Sequence, residues 1–158
     1  KTKNKRIQLV IPEMLQELQQ LSTPIVDENF PLILAAGERR SYNANQIYRN
    51  PAWRKTDPHG AMRMHPQDAE DLELMEGETA VCRSKTGEIT VVIAVDDTMR
   101  RGVVSLPHGY GGGYLHQDSI GPALNKLTSR LDCDSLTRTP YHKYVPVQVS
   151  KMLTKDAA

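Results

Sequence analysis

Glu88 to Asp97, EITVVIAVDD, constrains this chain more than any other stretch. In an extended backbone Ile89, Val91, Ile93 and Val95 share one face, and Thr90, Val92 and Ala94 share the other. β-branched side chains dominate, which suits a pleated strand and disfavours a helix. Because both faces are largely apolar, the strand is expected to be buried on both sides, as inside a small barrel. Its flanks are punctuated. Lys85-Thr86-Gly87 should close a hairpin from a preceding strand, Thr79 to Ser84, with Gly87 at positive φ. Asp96 and Asp97 end the strand, and Arg101-Gly102 turns the chain into Val103, Val104 and Leu106. That strand delivers Pro107-His108-Gly109 to an edge of the barrel.

Upstream, Pro66 suits a first helical turn and is followed by Asp68, Glu70 and Asp71, so a short helix is expected near Gln67 to Leu72. Pro12 to Leu21 places Met14, Leu15, Leu18 and Leu21 at helical spacing, a stripe that needs a surface to cover, either this barrel or another domain. Pro31 to Ala36 reads as a fully apolar strand running into Gly37-Glu38-Arg39-Arg40-Ser41-Tyr42-Asn43. Two readings fit that loop. It is an exposed polar connection, or it is a ligand loop in which backbone approaches a phosphate at Gly37 and guanidinium groups pair with it. Ala44 to Trp53 is expected to form a turn or two of helix with Ile47, Tyr48 and Trp53 inward, Arg54 to Gly60 a loop, and Ala61 to His65 a strand. Gly111 to Gln117 reads as a flexible surface loop; it lacks the Gly-Lys-Ser/Thr ending of a Walker loop. Gly121 to Thr128 should be a short helical turn carrying Asn125, which could cap the turn or meet a ligand. Val145, Val147 and Val149 alternate as a last strand, with His142 and Lys143 at its rim.

Composition narrows the field. A chain of 158 residues with net charge +1 suits one domain with a real core and no strong steering of nucleic acid. No apolar run approaches the roughly 18 residues of a membrane span, and nothing resembles a signal peptide. Cys82 and Cys133 lack CxxC spacing; Cys82 reads as a small buried thiol, and both fit a reducing, cytoplasmic compartment. His59, His65, His108, His116 and His142 show no ligand spacing, so no protein-held metal and no catalytic residue is expected.

The order of parts adds chemistry. "HPQDAEDL", "EGETAVCRSKTGEI", a valine-rich strand, "RRGVVSLPHGYG", "NKLT" and "TPYHKYVPVQV" follow one another in a series. Together they resemble the C-terminal dinucleotide-binding domain of the molybdopterin oxidoreductases, the dimethyl-sulfoxide-reductase and formate-dehydrogenase superfamily. The resemblance covers roughly Pro31 to Val149. It implies a mainly β fold with short helices, a six-stranded double-psi β-barrel of the aspartate-decarboxylase-like kind. It divides the chain into a linker with a short amphipathic helix at 1–30, the barrel domain at 31–150 and a tail at 151–158. It also implies that the domain holds the guanine dinucleotide arm of a bis(molybdopterin guanine dinucleotide) cofactor carrying Mo or W. The positions that match are Ala36, Gly37, Glu38, Arg39, Arg40, Ser41 and Tyr42, with His108, Gly109, Asn125, His142 and Lys143.

Upstream domains of the same oxidoreductase would then be the partners, with any iron–sulfur cluster held there. A start at Lys1 rather than methionine fits a removed leader or a piece of a longer protein in which this domain comes last. One departure stands out: the family pattern has glycine where Glu73 sits in "DLELM", a place suited to a left-handed cap. The look is closest to the formate-dehydrogenase branch, because Gly37-Glu38-Arg39 is followed by Tyr42. Other barrels of this shape fit less well. A pyruvoyl decarboxylase needs a Gly-Ser bond, which is absent, and Asp97-Thr98-Met99 lacks the glycine of an aspartic protease loop. A cofactor-free, substrate-recruiting interaction module is the rival reading, since fold alone does not decide function.

Overall fold

The structure is a computed structural model, and it describes residues 4–7, 9–21, 27–38, 57, 59–112 and 121–152. Six strands form a closed barrel: β1 (Leu32–Glu38), β2 (Met62–Met64), β3 (Thr79–Ser84), β4 (Glu88–Val95), β5 (Val103–Pro107) and β6 (Val145–Lys151). Around the barrel the order is β1-β5-β2-β4-β3-β6. The pairs β1/β5 and β2/β4 are parallel, and the other four pairs are antiparallel. The double-psi barrel expected from the sequence is the fold observed.

Period-two alternation builds the interior. Leu32, Leu34 and Ala36 of β1, Met62 and Met64 of β2, Ile89, Val91 and Ile93 of β4, and Val145, Val147 and Val149 of β6 all point into one core. Burial of β4 departs from expectation. Only its inner face is buried; Thr90 is exposed and Val92 and Ala94 are half-buried, while Val95 sits at the edge. A closed barrel has one interior, and the outer face of β4 instead meets residues 121–126 across a cleft of about 380 Å³.

The hairpin also differs. Gly87 is not left-handed; a Cβ there would stand 2.9 Å from the carbonyl oxygen of Lys126, so glycine supplies room rather than a special φ. The turn is closed by Ser84 N donating to Gly87 O at 2.8 Å.

Two α-helices are present among the described residues. In α2 (Pro66–Asp71) the His65 imidazole Nδ1 accepts from Gln67 N at 3.0 Å as the N-cap, ahead of a proline in the first turn. The helix ends in paired carbonyl bonds: Glu73 N donates to Glu70 O at 3.0 Å and Leu74 N to Ala69 O at 2.8 Å. Glu73 takes the left-handed position that this motif requires, at φ +55°. Asp68, read from sequence as a helix-dipole residue, does more: its buried carboxylate accepts from Gly102 N at 2.7 Å and ties α2 to the turn before β5. In α1 (Pro12–Gln20) no residue is buried, and Met14, Leu15 and Leu18 stay exposed, so the stripe does not cover this barrel.

Candidate cofactor-binding site

Strand direction gathers the site. β1 and β5 run parallel, so Gly37-Glu38 and Pro107-His108 leave the barrel at the same end. β6 is antiparallel to β1, with Val145 opposite Leu34, which brings His142 and Lys143 to that end as well. The β3–β4 hairpin shares it, because Ser84 pairs with Val147 near the start of β6.

At the centre is a bulge. The β1/β5 register shifts between Ala36 and Glu38, leaving Gly37 at φ +82°. The His108 ring lies against its α-carbon so closely that a Cβ would be 2.1 Å from Nε2. His108 N donates to Glu38 O at 3.2 Å, and Ala36 N to His142 O at 2.8 Å. Lys143 crosses from the other side, its Nζ donating to Ala36 O at 2.7 Å and Gly37 O at 3.3 Å. Two of the ammonium's three donors therefore hold the end of β1, while its charge stays beside Gly37. Gly109 follows at φ +89°.

Glu38 faces the barrel wall. Its carboxylate accepts from Arg63 Nη1 and from Ser105 Oγ, each at 2.8 Å, and Arg63 also lies 3.6 Å from Asp96. Three strands are thus cross-linked at the end of β1. Arg63 and Ser105 are neighbours of the candidate site that the sequence reading missed. The signal was there: each is a polar residue between two buried apolar ones, Met62 and Met64, Val104 and Leu106.

Asn125 stands apart from this cluster but at the same end. It sits on the 3-10 turn Leu124–Lys126, anchored by buried Leu124 and Leu127, with its own side chain exposed. Thr86 Oγ1 donates to Lys126 O at 3.1 Å, fixing the turn against the hairpin. Gly111, read from sequence as part of a flexible loop, has a tight neighbour: a Cβ there would be 2.5 Å from Ala123 Cα. Arg39, Arg40, Ser41 and Tyr42 lie outside the described residues, as do Ala44 to Trp53 and Gly113 to Gln117. No group of three or more His, Cys, Asp or Glu side chains among the described residues could hold a metal ion.

The fold defines the class first, a six-stranded double-psi barrel domain with one end crowded by backbone and cations. The family follows: residues 32–146 match the Molydopterin dinucleotide binding domain, and the chain belongs to that family. Acetylene hydratase of Syntrophotalea acetylenica is 27% identical over 125 residues, 70% of this chain and 17% of the relative. A protein provisionally named as a formate dehydrogenase, from Staphylococcus haemolyticus (strain JCSC1435), is 25% identical over 114 residues, 72% of this chain and 11% of the relative. The chain thus spans less than a fifth of the length of these relatives. The solved structure of acetylene hydratase from Pelobacter acetylenicus superposes with a TM-score of 0.65 at 21% identity, covering 89% of this chain and 19% of that one, and shares the fold.

Proposed function

We propose that this domain holds the guanine nucleotide arm of a bis(molybdopterin guanine dinucleotide) cofactor through Ala36 to Tyr42, His108, Gly109, Asn125, His142 and Lys143. One observation carries the reading. The family match at 32–146 contains every one of these positions, and strand direction brings Ala36 to Glu38, His108, Gly109, His142 and Lys143 to a single end. Their chemistry fits an anionic dinucleotide. Gly37 lets the His108 imidazole pack onto the bulge, the Lys143 ammonium lies beside it, and Asn125 offers both a donor and an acceptor to a heterocycle edge. When bound, the cofactor supplies metal-centred chemistry, with Mo or W held by the pterin; the protein binds and orients it.

The barrel domain is residues 31–150 of a formate-dehydrogenase-like oxidoreductase whose other domains bring the substrate site and any iron–sulfur cluster. This fragment binds without catalysing. The names of its relatives support that division. Hydration and dehydrogenation are different reactions, so a domain shared by enzymes named for both fits a role in holding the cofactor better than one in selecting the reaction. Among the described residues no helix is long and apolar enough to cross a membrane.

The test is mass spectrometry of the native full-length protein for pterin and released guanine nucleotide, repeated for Arg39→Ala, Asn125→Ala and Lys143→Ala. Depletion in these variants with the fold retained is expected. Full occupancy in all three would remove the site and leave the interaction-module reading. For the isolated chain, no dye reduction with formate or nitrate is expected; turnover there would overturn the division of labour.

A further inference from the structure

An aromatic ring with no part in the site described so far packs against Gly60, at the entry to β2, and Gly121, ahead of the Asn125 turn. A Cβ on Gly60 would stand 2.7 Å from Cδ1 and Cγ of Tyr110, and one on Gly121 would stand 2.5 Å from Cδ1. Both glycines sit at positive φ, +63° and +75°. The Tyr110 hydroxyl donates to the backbone carbonyl of Asp57, whose carboxylate accepts from Ala61 N at 3.1 Å as the chain enters β2. One residue further, Gly111 abuts Ala123, the residue that caps the Asn125 turn. The segment leaving β5 is therefore wedged against both the entry to β2 and the turn that carries Asn125.

We infer that Tyr110 is a positioning residue for the cofactor site, its ring setting the Asn125 turn at a fixed distance from His108 and Gly109. The inference rests on the proposed cofactor-binding reading. A flat ring packed against two bare α-carbons works as a rigid stop, because neither glycine has a side chain that could yield and the ring has few rotamers. The turn is also held by the Thr86 bond to Lys126 O and by buried Leu124 and Leu127, and Tyr110 adds the restraint on the Gly121 side. Asn125 does not touch Tyr110 in order to benefit; it rides on a turn that Tyr110 places.

A mutant cycle in the full-length enzyme tests this, reading bound pterin and guanine nucleotide per protein after gel filtration together with the thermal midpoint. Asn125→Ala and Tyr110→Ala are each expected to lower cofactor content several-fold, and Tyr110→Phe, which keeps the ring, to retain most of it. The decisive variant combines Asn125→Ala with Tyr110→Ala. If Tyr110 acts through Asn125, the pair loses no more cofactor than the worse single variant, since placing an absent amide has no value. A combined loss equal to the product of the two single losses overturns the inference, as does full content in Tyr110→Ala beside a depleted Asn125→Ala. Full content in Asn125→Ala instead removes Asn125 from the site, and the inference with it. Should Tyr110→Ala not fold, Tyr110→Leu replaces it in the cycle and is judged by the same two outcomes.

Discussion

Glu73 shows how one residue can be readable in sequence and still be suboptimal. The chain needs a left-handed residue after α2, and a carboxylate-bearing side chain occupies it at φ +55°. The paired carbonyl bonds around it are intact, so the motif wins over the conformational cost. Glu73→Gly removes that cost, and denaturant unfolding should show a gain of about 0.5–1 kcal/mol, less whatever the extra freedom of glycine returns to the unfolded chain. The Lys151 Nζ contact to residue 73 is to a backbone carbonyl and survives the change. Cys82 makes a second residue-scale case. Burial pushes its thiol from 9.0 up to about 12. The folded state therefore keeps a proton that the unfolded chain gives up, so this contribution to stability is whole below about pH 9 and is lost as pH rises toward 12. Stability should fall more steeply over that window in the native chain than in Cys82→Ala, by up to about 1.4 kcal/mol per pH unit. In the folded protein at neutral pH Cys82 should also resist alkylation, whereas half-buried Cys133 should react first.

At the scale of elements, alternation and punctuation made most of the barrel legible: β3, β4, β5 and β6 fall where β-branched runs and Gly or Asp corners put them. What escaped was whatever depends on a neighbour distant in the chain. In EITVVIAV two apolar faces compete for the core, and the polar hints to the outer one were Glu88 and Thr90 at its start. Local sequence does not tell that Gly87 and Gly111 are small because Lys126 and Ala123 come close. The geometry of the candidate site was legible in a similar, partial way. Its convergence on one rim follows from strand direction, but the use of Glu38 and Lys143 to brace the end of β1 follows only from three-dimensional pairing. Gly37 joins both levels, because its bulge and the His108 ring share one space. Gly37→Ala should cost about 1–3 kcal/mol in thermal or denaturant unfolding, part from positive φ and part from the ring. Adding His108→Ala should recover the steric part and not the rest, a non-additivity expected only if the two residues occupy that one space.

For the molecule as a whole, the ring of strands sets the order in which things can happen. β1 has no sequence neighbour in the barrel: Ile33 pairs with Val103 on one side and Leu32 with Val147 on the other. During synthesis β1 is made early and its second partner last, so it must wait with both edges unpaired while the β3–β4 hairpin forms at once from adjacent residues. Loop closure over such separations is unfavourable until the whole ring can close, which places refolding in the millisecond-to-second range typical of non-local β topologies. Stopped-flow refolding with a dominant microsecond phase would contradict this. The last seven-residue strand thus acts as the latch of the assembly. A chain ending before Val145 keeps most of the apolar core residues but leaves β1 and β3 with open edges, and its expected fate is intermolecular strand pairing, seen as high-mass species in size-exclusion chromatography.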